Sequence, residues 1–316
     1  MRRIEWPTLA LIVGCYGLWV VAGMVVWPVA PGLALAVMAV LAALHSSLVH
    51  ECLHGHPTRR RLVNEALVAL PISVIYPYRR YKATHLAHHR DERLTDPIED
   101  PESYYRARWQ HDRMPRWLQG LLVVNNTMLG RLVLGPVLGA AGFLASEARA
   151  LIAGQRGVRL AWMLHLLGLA PVLGALWVMG IPLWLYLLAV VWPGLSLIAI
   201  RTYAEHQWHE TPEGRTIIVE RSPLAWLFLN NNLHFVHHQI PAVPWFDLPR
   251  LYAERRDHWQ ALNGGYVYRN YWQLFRAHAL RTKEPVVHPV LHQTPAPPPG
   301  PSLPPPVRPT LGAQSV

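Results

Sequence analysis

Eight histidines in three short clusters carry the chemistry this chain could do: His50-Glu51-Cys52-Leu53-His54, His85-Leu86-Ala87-His88-His89 and His234-Phe235-Val236-His237-His238. Residues three and four apart share one face of a helix, so each cluster is expected to aim two or three imidazoles at one point. Neutral imidazole suits iron, zinc, copper and nickel. Eight such ligands exceed what one tetrahedral ion uses, and the spacing predicts two metal ions. The first cluster also fits H-E-x-x-H, the zinc protease pattern in which the glutamate activates water. That alternative, an intramembrane protease, accounts for one cluster and leaves both H-x-x-H-H clusters without a role. A non-enzymatic membrane metal-binding protein or carrier is a further alternative, opposed by the lack of polar groups along a crossing path.

The elements that must hold these clusters follow from the distribution of charge. Of 316 residues, 52% are hydrophobic and only 15% charged, against about 25% charged in an average soluble domain. Residues 8–44 contain no Asp, Glu, Lys, Arg or His, and residues 160–200 contain only His165. Each run is about twice the roughly 20 residues that cross a bilayer. Each is broken near its middle, by Trp27-Pro28-Val29-Ala30-Pro31 and by Gly180-Ile181-Pro182. Two transmembrane hairpins are predicted, with spans at 8–26, 32–49, 160–179 and 183–200. The opening Met1-Arg2-Arg3 before an apolar run resembles a signal peptide. The run is too long and lacks a small-residue cleavage site, so it reads as a span.

The formal net charge of +10 does not call for nucleic acid, because no nucleic-acid-binding motif accompanies it. Its basic residues lie where membrane topology puts them. Arg2 and Arg3 precede the first span; Arg59 to Arg61, Arg79, Arg80 and Lys82 follow the second; Arg149, Arg156 and Arg159 precede the third; Arg201 follows the fourth. The positive-inside rule then places both termini and all three clusters on the cytoplasmic side. The two cysteines, Cys15 and Cys52, imply no disulfide framework.

Residues 117–145 are apolar but interrupted by Asn125, Asn126 and Arg131, which predicts a helix along the interface and not a fifth crossing. Were it a true span, the third cluster would move to the opposite side from the first two. Residues 62–76 hold Asn64, Glu65 and Pro71 and read as interfacial or re-entrant. Residues 251–260 form a charged, helical stretch. From 284 onward the chain is proline-rich, with Pro297-Pro298-Pro299 and Pro304-Pro305-Pro306, a composition expected to be disordered. One domain, 1–283, and a tail, 284–316, are therefore expected.

Around the clusters the sequence becomes specific. It contains Tyr78-Arg79-Arg80-Tyr81-Lys82-Ala83-Thr84-His85-Leu86-Ala87-His88-His89, then Thr95-Asp96 and Asp100-Pro101-Glu102. Further on it contains Asn230-Asn231-Asn232-Leu233-His234-Phe235-Val236-His237-His238-Gln239-Ile240-Pro241, with Pro244-Trp245 beyond. From about residue 45 to 251 the chain resembles the membrane-bound fatty acid desaturase superfamily, whose hallmark is three histidine boxes around two irons.

The resemblance implies an all-α integral membrane fold with four transmembrane helices in two hairpins and a cytoplasmic helical cap holding a di-iron site. It implies iron ligands at His50, His54, His85, His88, His89, His234, His237 and His238, and a ninth near the end of the fourth span. His206 fits that place, with His209 as the competitor. Some relatives carry an asparagine one turn earlier to hold a metal-bound water; here that position is Thr202. Glu51, Asp96, Asp100 and Glu205 are the candidate acceptors for ligand ring N–H groups, which would fix tautomers and offset positive charge. For Asp96 and Asp100 the competing role is turn formation beside Pro97 and Pro101.

The activity implied is an oxygen-dependent fatty-acyl or acyl-lipid desaturase, with O2 as co-substrate, two irons as cofactor and a lipid as substrate. The runner-up is a lipid or carotenoid hydroxylase or ketolase on the same centre. No cytochrome, flavin or nicotinamide signature is visible, so a separate electron carrier such as a ferredoxin is expected, with Arg255 and Arg256 as a candidate docking point. His45 and His56 flank the first box and are candidates to back it; His165 reads as a core residue; His111, His258, His278, His288 and His292 read as surface or tail.

Overall fold

The computed structural model describes residues 4–89 and 91–294. Apolar composition and proline or glycine punctuation set the long helices. Helix α1, Trp6–Val26, starts with proline in its first turn and closes through a wider π turn at Ala22–Val26. Helix α2, Pro31–Leu53, again has proline at its start and runs on into the first histidine box. The short helices α3, Arg61–Leu67, and α4, Tyr78–His88, follow, the latter carrying box two. Next come α5, Arg116–Asn125, and α6, Met128–Ile152. Helix α7, Val158–Met179, is bounded by Gly157 and Gly180, both left-handed with φ of 82° and 69°. Helix α8, Leu183–Thr202, contains a π segment at Leu187–Val191 just ahead of Pro193. Helix α9, His234–Gln239, is box three, and α10, Tyr271–His278, follows it. A two-stranded parallel pair, Ile218–Val219 with Val267–Tyr268, braces the region around box three.

The hairpin tips fall where the sequence predicts, at Trp27 to Ala30 and at Gly180 to Pro182. Between the hairpins lies a core built from Ile12, Trp19, Met38, Leu48, Leu176 and Tyr186. Its few polar groups are paired, as a low-dielectric setting demands. The Tyr186 hydroxyl accepts from Trp19 Nε1 at 2.9 Å and donates to the Ile72 carbonyl at 2.7 Å. Residues 68–76 thus enter among the long helices. His165 Nε2 meets the Val74 carbonyl at 2.8 Å, the core role expected of it. A Cβ on Gly168 would lie 2.0 Å from the Ala69 carbonyl oxygen, so only glycine lets this segment approach α7.

Among the described residues, five helices, not four, are long and apolar enough to cross a membrane. The fifth is α6, whose 25 residues overlap the stretch expected to lie along the interface. The single helix expected over 117–145 is instead two, broken at Asn126 and Thr127, and the second runs on to Ile152 with Arg131 and Pro136 accommodated within it. Both ends of α6 are tied to neighbouring elements. Leu129 N donates to the Ala279 carbonyl at 3.1 Å, and Glu147 accepts from Arg80 of α4 and from Trp162 Nε1.

The tail also needs correcting. Residues 284–294 pack against the cap: Val286 is buried, and His288 is fully enclosed beside Tyr105 and Trp208. The rest of the proline-rich segment, 295–316, lies outside the described residues.

Candidate metal centre

Nine histidines converge, and they do so in two groups. His50, His54, His85, His89 and His237 form one; His88, His206, His234 and His238 form the other. Within each group one ring nitrogen per residue lies within 4.8 Å of all the others. The helical repeat explains the division. On α4, His85 and His89 are four apart and serve the five-histidine group, while His88 turns to the four-histidine group. In box three, His234 and His238 serve the four-histidine group and His237 crosses to the other. Each H-x-x-H-H box is therefore split between two points, where its spacing had suggested one. The groups abut, with the His89 and His238 rings stacked at 4.1 Å.

The rings are held from behind. His85 Nδ1 lies 3.1 Å from Glu102, His88 Nδ1 2.8 Å from Asp100, and His234 Nδ1 2.9 Å from the Asn231 side-chain oxygen. His206 Nδ1 faces the Thr216 hydroxyl at 3.5 Å. An acceptor behind the ring puts the proton on Nδ1 and leaves the Nε2 lone pair facing inward. Those Nε2 atoms meet one another at 3.1 Å (His54 and His85), 3.0 Å (His85 and His89), 2.9 Å (His88 and His206), 3.1 Å (His206 and His234) and 3.2 Å (His234 and His238). Lone pairs so close repel unless a cation lies between them. The buried Nε2 atoms of His50 and His237 have no protein partner at all. With metal–nitrogen bonds of about 2.1 Å, ligands at right angles sit ~3.0 Å apart and tetrahedral ligands ~3.4 Å apart. The donor set therefore fits metal ions.

Electrostatics agree. Burial, then the neighbouring His85, pushes His54 down to about 2. Desolvation likewise holds His89, His206, His234 and His237 well below the usual histidine range, so they stay neutral and able to ligate. At His88 burial acts the same way, but the Glu102 and Asp100 carboxylates outweigh it and raise the ring to about 9. Glu102 is opposed by burial yet drawn down to about 2 by His85 and His88.

The residues expected behind the ligands divide. Asp100 holds His88, while the Glu205 carboxylate lies 3.6 Å from His234 Nδ1 and 2.9 Å from Arg201. Asp96 does not reach a box histidine: it accepts from the backbone of Ile98 and Glu99 and pairs with His292 at 3.0 Å, so the turn-forming alternative holds. Glu51 sits 3.9 Å from His50 Nδ1, behind the ring, and accepts from Trp245 N. That removes it from any water-activating position and with it the protease reading. His209 lies outside both groups and bonds within its own turn at Thr211. His45 and His56 are engaged by Tyr16 and Glu5 and stand apart from the centre. Glu102 and Asn231 were missed, although both stand in the motifs quoted above; their i+2 and i−3 offsets from Asp100 and His234 were the available signal.

We expect Asp100→Ala to weaken metal retention about 10- to 100-fold, the usual effect of losing a ligand's outer hydrogen-bond partner. Asp96→Ala, which removes no direct partner of a box histidine, is expected to weaken it less than Asp100→Ala does. Equilibrium metal titration of both variants checks this contrast.

A cavity of about 720 Å³ reaches the centre at His85, Glu102 and Glu205. Much of its wall is apolar, drawn from Val49, Leu164, Leu195, Ile198 and Ala199 of α2, α7 and α8. Such a lining suits a largely apolar ligand with one end beside His85.

Residues 22–272, most of the chain, match the family model described as Fatty acid desaturase. A chain with these histidine groups, set on helices apolar enough to span a bilayer, belongs to the fatty acid desaturase family. No curated protein matches the sequence.

Proposed function

We propose that this chain is an oxygen-dependent di-iron desaturase of fatty-acyl or acyl-lipid substrates, with one iron in each histidine group. The observation that carries this is the pairing of two abutting all-histidine groups with a largely apolar cavity that reaches His85 of one of them. An unactivated methylene offers neither an acidic proton nor an electrophilic carbon, so side-chain acid, base or nucleophile chemistry has no foothold. Bound iron supplies the oxygen chemistry that can remove hydrogen from such a carbon. The protein's part is to bring nine imidazoles together, with His85, His88, His206 and His234 held from behind at Nδ1, to offset positive charge with Asp100, Glu102 and Glu205, and to keep the substrate chain in a dry channel.

Convergence of the boxes also bears on topology. An even number of crossings must separate box two from box three, and α6, α7 and α8 lie between them. We infer that α7 and α8 cross while α6, tied near one end to Ala279 and near the other to Arg80 of α4, lies along the interface. That supports four spans, with the centre and both flanks of basic residues on the cytoplasmic side.

For the reductant we propose a separate electron carrier such as a ferredoxin. Of the two candidate docking arginines, Arg256 is tied to Glu220 at 2.7 Å, and Arg255 is exposed. Hydroxylation by the same centre is the competing outcome. Mass spectrometry of total lipids from cells expressing the unaltered chain decides it: loss of two hydrogens is the expected product, and gain of one oxygen overturns desaturation in favour of hydroxylation.

A further inference from the structure

Eight of the nine histidines sit on or at the end of a helix, where backbone hydrogen bonds fix them. His206 does not; it lies four residues past α8, paired only by a bridge to Thr216. Its carbonyl is instead gripped from outside, by the Tyr104 hydroxyl at 2.8 Å and by Lys283 Nζ. That nitrogen also donates to the Tyr266 hydroxyl at 2.9 Å and lies 5.4 to 5.9 Å from the ring centroids of Tyr104, Tyr203 and Tyr266.

Lys283 begins a strap that continues along the loop carrying Asp100. Lys283 N donates to the Asn126 carbonyl, and Asn126 Nδ2 to the Glu284 carbonyl. The Tyr105 hydroxyl donates to Glu284 while accepting from Trp208 N. Arg106 N donates to Val286 O at 2.8 Å, His288 N to Arg106 O at 3.0 Å, and Arg108 N to His292 O at 3.0 Å. The far end is closed by His292 on Asp96, which caps the turn leading to Asp100 and hence to His88. The strap thus bears directly on His206 and, through that turn, on His88, two of the four ligands of one group. It lies beyond residue 272, where the match to the family ends.

We propose that residues 283–292 are a clasp that sets how long the four-histidine group keeps its ion, with Lys283 as its principal positioning residue. The proposal rests on the reading that each group holds one ion. The full chain loaded with cobalt(II) is challenged with excess EDTA, and release is followed by absorbance and elemental analysis. Lys283→Met is expected to speed release of one ion about 10-fold or more, that ion being the one missing from His234→Ala. His292→Ala, a change at the half-exposed end of the strap, is expected to speed the same phase less. Thermal unfolding of the metal-free proteins confirms that each variant is folded. If the unaltered chain holds two ions and both variants release them at its rate, or both ions leave faster by equal factors, the clasp is wrong while the two-ion reading stands. An unaltered chain that holds only one ion overturns both.

Discussion

Replacing His85 with alanine is expected to reduce product to background while leaving the helical hairpins folded. His85 is the hinge of the five-histidine group. Its Nε2 lies 3.1 Å from that of His54 and 3.0 Å from that of His89, so its loss separates ligands from two elements, α2 and α4. It also leaves Glu102, drawn down to about 2, without its nearest imidazole. The cost in metal affinity should exceed the roughly 10- to 100-fold of an outer partner such as Asp100. The hydrophobic core between the hairpins does not include His85, so stability of the metal-free protein should change little. Comparing total lipids and bound iron for the two proteins checks both halves. An unchanged product would contradict a ligand role.

The second large effect is expected where the metal is untouched. Ala199 lines the cavity from α8, one turn before Thr202, which lines it too. Ala199→Phe places a ring in the channel without altering any histidine or its Nδ1 partner. Misplacing a substrate by about 1 Å costs on the order of 100-fold in rate, and the expected result is a loss of that size with iron content unchanged. Iron lost together with activity would mean that the ring had disturbed the centre, and full activity would mean that substrate does not use this cavity.

These two variants separate what is readable from sequence and what is not. The hairpin turns, the apolar runs beside them and the grouping of the eight box histidines follow from charge-free runs, proline and glycine breaks, and histidine spacing, whereas His206 follows only from the family resemblance. Those signals are local, and local periodicity survives folding. What fails is whatever depends on two segments meeting. Box two and box three each looked like one convergent face, yet the i+3 histidine of each turns to the other group, because neighbouring helices enclose the helix ends from two sides. Asp96 and Glu102 flank the same Asp100; only the turn conformation decides that Glu102 reaches His85 and Asp96 faces His292. The proline-rich composition that marks a tail also hid a strap, since backbone pairing of 286–292 with 106–108 requires no apolar periodicity. The helix expected over 117–145 reads as interrupted by polar residues, yet those are satisfied locally, Arg131 by the Asn125 carbonyl and Asn126, and a 25-residue apolar helix results.

The central claim is that two ions share one set of nine histidines. Elemental analysis of purified protein that makes product tests it most directly. Two irons per chain are expected, falling to one in His234→Ala. Active material holding a single iron, or none, would contradict the account.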